Sequence, residues 1–199
     1  MHELPLPVAA SLITERLILK SPTVDDAATI LDFRIATREH LQVWEPARSD
    51  AFYTLAAVES QLRDMLQQIR HQSAVHWLLH ARQQQEQQGG AKIIGACNFT
   101  NIVRGAFQAC HLGFSLAREY QGQGLMHEAL QAAIVDIFNH HGLHRIMANY
   151  QPHNQRSGQL LSRLGFEREG LARAYLHING AWADHVLTSL INPQQAGEQ

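Results

Sequence analysis

The chain has 199 residues, 45% of them hydrophobic and 17% charged, and carries a formal net charge of -2. That is the length of one ordinary domain with a full core, and the composition excludes global disorder. Near-neutral charge offers no broad basic face for nucleic acid, no apolar run approaches the roughly 18–20 residues that span a bilayer, and two cysteines, Cys97 and Cys110, neither build a disulfide framework nor fill a structural zinc site.

In chain order, the opening MHELPLPVAA has no basic n-region and no sustained apolar stretch, so no signal peptide is expected and a reduced, cytoplasmic setting is the default. Residues 1–11 read as an N-terminal extension. Leu12 to Lys20 is strand-like, with Leu17 and Leu19 facing one way and Arg16, Ile18 and Lys20 the other. Thr23 ahead of Asp25 and Asp26 is N-cap and first-turn chemistry for a helix running towards Leu41. Leu55, Val58, Leu62, Met65, Leu66 and Ile69 keep the 3–4 spacing of an amphipathic helix over residues 54–71. Val75 to Ala81, Ala91 to Phe99 and Ala109 to Leu116 read as successive strands. A polar hairpin loop, Gln83 to Gly90, joins the first two, and Asn101 to Gly105 offers the turn between the last two. Met126, Leu130, Ala133, Ile134, Ile137 and His141 mark another helix, stopped by Gly142. Arg145 to Tyr150 is a strand, Asn154 to Leu164 a short helix closed by Gly165, and Phe166 to Leu176 is extended. Asn179-Gly180 is a strong hairpin signal leading into Trp182 to Ile191. Residues 192–199 are a polar tail. The alternation is mixed α/β with antiparallel hairpins in one layered domain, residues 12–191.

The stretch richest in chemistry runs from Phe114 to Leu130. A strand ends, a loop with Gly122 and Gly124 follows, and a helix begins. Glycines let backbone approach a ligand closely, and a helix N-terminus offers unpaired N–H groups to an anion, so a phosphate or pyrophosphate at residues 121–126 is physically expected. The loop lacks the third glycine and the downstream acidic residue of the dinucleotide fingerprint, and it lacks a Walker lysine.

Gln121-x-x-Gly124 resembles the pyrophosphate loop of the GNAT N-acetyltransferase superfamily, with Met126 standing where the wider superfamily has glycine or alanine. Asn154-x-x-Ser157, Leu160-Leu161 and Leu164-Gly165-Phe166-Glu167 resemble that superfamily's second CoA-facing segment. Thr14-Glu15-Arg16-Leu17-Ile18-Leu19 is similar to the opening strand of its RimJ/RimL branch, which acetylates N-termini of ribosomal proteins. Trp44-Glu45-Pro46, Asn101 to Gly105, Gly124-Leu125-Met126, His144 to Tyr150 and Trp182-x-Asp184-His185 resemble the alanine-directed members of that branch.

The resemblance implies a central, mostly antiparallel twisted sheet with a splayed parallel pair, flanked by helices. It implies acetyl-CoA as co-substrate, no metal, and a ribosomal protein N-terminus as acceptor, without direct nucleic-acid or membrane contact and with the oligomeric state open. Phe114, Ser115 and Leu116 would offer a backbone N–H to the thioester carbonyl. Gln121, Gly122, Gln123, Gly124, Leu125 and Met126 would hold the pyrophosphate, with Asn149 and Asn154 along the pantetheine arm. Ser157 is the candidate for protonating or positioning the leaving thiol and Glu45 the candidate base. An α-amine of pKa about 7.7–8.0 is partly neutral near pH 7.5, so a powerful base is less necessary than for lysine.

Each of these residues also has a plainer reading. Asn154 is equally an N-cap, Ser157 a helix-start serine, and Glu45 a local cap or ion-pair partner. Trp44, Phe52 and Tyr53 belong either to the core or to the wall of an acceptor cleft. In His140-His141-x-x-His144 no cysteine or carboxylate completes a metal set, so favourable charge at a helix C-terminus explains it better. Cys97 and Cys110 read as small core residues. Asn98-Phe99-Thr100 matches a glycosylation sequon, which a cytosolic chain does not use. Two other functions share the loop: acetylation of a small amine or polyamine, and acetyl-CoA sensing without turnover.

Overall fold

The computed structural model describes residues 11–82 and 92–195. Its strands are β1 (Ser11–Ile13), β2 (Leu17–Lys20), β3 (Val75–Ala81), β4 (Gly95–Val103), β5 (Ala109–Leu116), β6 (Arg145–Tyr150), β7 (Glu167–Ile178) and β8 (Ala181–Ile191). They form one sheet in the order β1-β2-β3-β4-β5-β6-β8-β7. Neighbours are antiparallel except β5 and β6, which run parallel. The helices are α1 (Ala27–Leu41), α2 (Leu55–Arg70), α3 (Leu125–Asn139) and α4 (Gln155–Arg163).

Strand β3 shows why the molecule is layered. Six of its seven residues are buried, which needs cover on both faces of the sheet. Trp77 and Leu79 point into a core shared with Leu17, Leu19 and Phe99 and closed by Leu130, Ala133, Ile134 and Ile137 of α3. Leu78, between them, joins a second core with Ala27 and Ile30 of α1 and Val58 and Leu62 of α2. Helices α1 and α2 therefore cover one face and α3 the other. Cys97 and Cys110 both lie in the first core, as small buried residues.

Several boundaries differ from the sequence reading for local reasons. Leu12 to Lys20 is not one strand but a tight hairpin, β1 and β2, whose turn closes with the Leu17 N–H donating to Thr14 Oγ1 (3.0 Å). Alternation over Leu17–Lys20 alone could not show that break, because the exposed Ile13 mimics a core residue. Asn101 is not the start of a turn. It adopts φ +52° inside β4, where the ladder to β5 slips between Thr100 and Val103, and the chain reverses later around Gly105. The predicted strand from Ala91 begins instead at Gly95, and the polar loop Gln83 to Gly90 lies outside the described residues.

A carboxylate does stand beside the histidine group, against the sequence reading: Asp136, one turn earlier on α3 and buried, lies 2.9 Å from His140 Nδ1 and 3.6 Å from His141 Nε2. Even so, among the described residues no group of three or more His, Cys, Asp or Glu side chains is arranged to hold a metal ion.

Gly95 marks a close approach of backbones. A Cβ there would stand 2.6 Å from the Ser115 carbonyl oxygen and 2.9 Å from Leu116 Cδ1, whereas at Gly113 on β5 it would meet open space. Gly95→Ala is expected to cost about 1–3 kcal/mol through overpacking. Gly113→Ala is expected to stabilise by up to about 1 kcal/mol, since it only restricts the unfolded chain. Urea unfolding of the two variants checks this opposition.

Candidate active site

Strands β5 and β6 are in register at three pairs, Ala109–Arg145, Cys110–Ile146 and His111–Met147. Beyond His111 they part. Phe114, Ser115 and Leu116 stay paired to β4, opposite Cys97, Ala96 and Gly95, while Ala148 to Tyr150 stay paired to β8. The edge of β5 that faces the gap therefore has no strand partner over residues 112–116. Its backbone polar groups are left for something else to satisfy.

The loop that follows β5 closes the wide end of this gap. Gly122 and Gly124 have φ +74° and +78°, in the left-handed region where other residues are strained. A Cβ at Gly122 would meet nothing within 4 Å, so conformation and ligand approach, not packing against the protein, account for the glycine. Gly124 is the N-cap of α3 and brings no side-chain cap, which leaves the first-turn N–H groups open to an anion. The side chains of Leu125 and Met126 are buried in the main core, so both face the loop with backbone alone. Met126 thus occupies its position without intruding on the loop.

A carboxylate in that first turn, Glu128, would repel an anion if left free. It is not free: its Oε1 accepts from Thr14 Oγ1 (2.6 Å) and the Arg16 N–H (2.8 Å), and its Oε2 from Arg16 Nε (2.7 Å). Burial works against the charged form, yet these bonds hold the carboxyl below the usual range. Arg16 Nη1 also donates to the Gln123 carbonyl (2.8 Å), so the β1–β2 turn grips the loop directly. Gln123 itself donates from Nε2 to the Glu119 carbonyl (2.8 Å).

Gln121 spans the gap. Its Nε2 lies 2.7 Å from His40 Nε2 and 3.2 Å from the Leu116 carbonyl, and its Oε1 accepts from Arg156 Nη1 (2.6 Å). Burial, with Arg118 nearby, keeps the His40 pKa low, which suits an imidazole nitrogen accepting from the amide. The side chain is thus committed to joining α1, β5 and α4.

On the β6 side, Asn149 Nδ2 donates to the Tyr175 hydroxyl (3.2 Å). Asn154 is the N-cap of α4, its Oδ1 accepting the Ser157 N–H (3.2 Å), so the capping role is realised. Ser157 is half-buried one turn into α4, which sits tightly on Tyr150: a Cβ at Gly158 would lie 2.8 Å from that ring.

Glu45 belongs to a different wall. A cavity of about 310 Å³ on the α1–α2 face is lined by Arg34, Glu45, Phe52, Tyr53, His76 and Ser115, among others, and Ser157 is not one of them. The segment bearing Glu45 is pinned in place. The Asn179 N–H donates to the Glu45 carbonyl (2.9 Å), and the Trp44 ring sits 5.1 Å from that of His153. Burial pushes the Glu45 carboxyl up, with Arg48 and Arg34 pulling the other way. Phe52 and Tyr53 thus wall a cavity, while Asn98 of the sequon turns inward, its Oδ1 2.9 Å from His76 Nδ1. Ser115 lines this cavity with its backbone turned to β4, and its neighbours Phe114 and Leu116 turn theirs to the gap.

Sequence reasoning missed Arg34, Arg38, Tyr175 and the Arg16–Glu128 pair. Arg34 and Arg38, one turn apart on α1 and so on one side of it, were a usable signal; the other two depend on contacts distant in sequence.

The model of the acetyltransferase (GNAT) domain matches residues 16–167. The chain is 43% identical to the [ribosomal protein uS5]-alanine N-acetyltransferase of Escherichia coli (strain K12) over 182 residues, 92% of this chain and 91% of that protein. The crystal structure of the ribosomal-protein-S5-alanine acetyltransferase from Vibrio fischeri superposes with a TM-score of 0.86 at 39% identity, covering 93% of this chain and 98% of that one. Mycobacterium smegmatis RimJ in complex with CoA-disulfide follows at a TM-score of 0.81 and 26% identity, over 90% and 84% of the two chains. With the splayed β5–β6 pair and the glycine loop at the head of α3, these likenesses place the chain in the GNAT acetyltransferase family.

Proposed function

We propose that the chain, with residues 12–191 as its catalytic unit, transfers the acetyl group of acetyl-CoA to the α-amine of a ribosomal protein N-terminus, alanine first, in the cytoplasm. The observation that carries this is one short stretch of β5: Ser115 lines the cavity that holds Glu45, while Phe114 and Leu116 on either side of it present backbone to the gap beneath the glycine loop. A thioester and an amine can therefore meet across one strand. The similarity to uS5-alanine N-acetyltransferases supports the choice of acceptor.

The residues present fit acetyl-CoA. The open N-terminus of α3, the empty space over Gly122 and the neutralised Glu128 suit a pyrophosphate. When bound, acetyl-CoA supplies an activated acetyl thioester. Backbone N–H groups of Phe114 and Leu116 on the unpaired β5 edge, with the Ser115 N–H between them turned to β4, are the donors available to a developing oxyanion. Asn149 and Asn154 flank the arm, Asn154 with the amide group that its cap leaves over. Ser157 protonates or positions the departing thiol. Glu45, directly or through water, takes the proton from the attacking amine.

The same cavity argues against a polyamine. Arg34, Arg38 and Arg48 line it and Glu45 is its single carboxylate among the described residues, an environment that repels spaced ammonium groups.

Gly122→Val should fold with about 1–3 kcal/mol lost to its left-handed backbone, since its side chain clashes with nothing, yet lose the further thermal stabilisation that acetyl-CoA gives the parent, about 2.7 kcal/mol at one hundred times Kd. Differential scanning fluorimetry with and without acetyl-CoA reads this. For Glu45, log kcat/KM of the parent should fall with slope one below the amine pKa of about 7.7–8.0. The slope should steepen to two below the Glu45 pKa, which lies above the usual carboxylate range because burial disfavours the charged form. Glu45→Gln should keep slope one throughout and lose about 10²-fold in rate. Acceptor class is tested with an Ala-initiated peptide, the same peptide with a blocked α-amine and free lysines, and spermidine. Transfer should be fastest to the first, and faster transfer to either of the others would overturn the N-terminal reading.

A further inference from the structure

Arg34 is the unexplained charge of the acceptor cavity. Its Nη1 is buried and has no hydrogen-bond partner, although a guanidinium carries five donors and a buried one left unpaired is costly. Its carbon stands 4.3 Å over the Phe52 ring, and that of Arg48 stands 4.6 Å over the same ring. Arg38, one turn along α1, is already paired with Asp50 at 2.7 Å and is not available. Among the described residues Glu45 is the only carboxylate lining the cavity, and it forms no ion pair with Arg34 or Arg48. Two guanidinium groups against one carboxylate leave a positive charge, in a space walled by aromatic rings. Burial lowers the pKa of His76, which faces the cavity from β3, so that it adds no stable charge there.

Stacking on a ring holds a guanidinium plane while leaving its edge free, the arrangement that receives a carboxylate through two parallel hydrogen bonds. We propose that Arg34 and Arg48, held on Phe52, form a subsite for a carboxylate of the acceptor peptide, so that the enzyme selects N-termini with Asp or Glu among their first few residues. The inference rests on the N-terminal acetyltransferase reading and names what that site selects beyond the first residue. The ligand is placed on the acceptor because the cavity lies on the α1–α2 face with Glu45. None of the loop residues 121–124 lines it.

The test uses Ala-initiated peptides with Glu at position two, three or four, each against its Gln counterpart. At low salt one Glu peptide should exceed its Gln partner by about tenfold or more in kcat/KM, the size of a charge-assisted hydrogen bond. The preference should shrink as salt rises, since Arg48 is exposed. Arg34→Gln should abolish the preference and Arg34→Lys restore only part of it, because lysine lacks the fork. Arg48→Gln, a change at the cavity rim, should weaken the preference even if Arg34→Gln fails to fold. Equal rates for every Glu and Gln pair in the parent enzyme would overturn the subsite while leaving N-terminal acetylation intact. A raised KM for acetyl-CoA in Arg48→Gln or Arg34→Gln, with the peptide preference unchanged, would assign the charge to the co-substrate and overturn it too. Preference for spermidine over all peptides would overturn both readings.

Discussion

A parallel pair of strands can part without unravelling a sheet only if each strand keeps another partner. Here β5 keeps β4 and β6 keeps β8, so the pair separates after His111 while both strands remain held by antiparallel ladders. The separation exposes backbone polar groups inside the fold, where unpaired ones are expensive. Gln121 reaches in to satisfy the Leu116 carbonyl, and the rest of that edge is left for a ligand. Everything else at the site is arranged around this opening: the glycine loop at its mouth, α4 along the β6 side, and the cavity lined by Ser115 and Glu45.

The electrostatics of the loop follow from a conflict. An acidic residue in the first turn of a helix favours the helix dipole, but it opposes any anion bound at the same N-terminus. Glu128 satisfies the first demand, and its bonds to Thr14 and Arg16 cancel the second. An exposed ion pair alone is worth little, about 0–1 kcal/mol. Here the pair shares two hydrogen bonds, Thr14 adds a third to Glu128, and Arg16 also holds the Gln123 carbonyl, so the group positions the loop as well as neutralising charge. The β1–β2 hairpin, at the far edge of the sheet, thereby becomes part of the glycine-loop end of the molecule.

Much of this was legible in the residues. Periodicity placed α2 and α3 because both bury one stripe, and Asn179-Gly180 marked the β7–β8 turn through its left-handed backbone. Gly122 and Gly124 declared the loop for the same reason. The apolar run Val75 to Ala81 gave β3 at its full length although it is covered on both faces, whereas alternation failed over Leu12 to Lys20, where β1 carries an exposed isoleucine. Asn101 misled because positive φ is used in a bulge as well as in a turn. At the site, Glu45 and Ser157 were named together but sit on different walls, and Asn154 proved to cap its helix. Arg34 was invisible as a site residue. An arginine on an amphipathic helix ordinarily faces solvent, and only the segment carrying Arg48 and Phe52, folded back over α1, turns it inward.

The burial of both cysteines has a chemical consequence for an enzyme that handles a thioester. Thiolates, not thiols, attack thioesters and disulfides. Cys97 and Cys110 are enclosed in the main core, and burial pushes Cys110 up to about 12 and Cys97 higher still. The chain has no other cysteine. An acetyl-CoA-dependent transferase of this family therefore carries here no sulfur nucleophile ready to intercept the acyl group. Neither self-acylation at cysteine nor a mixed disulfide with oxidised CoA competes with transfer to the acceptor while the core stays closed.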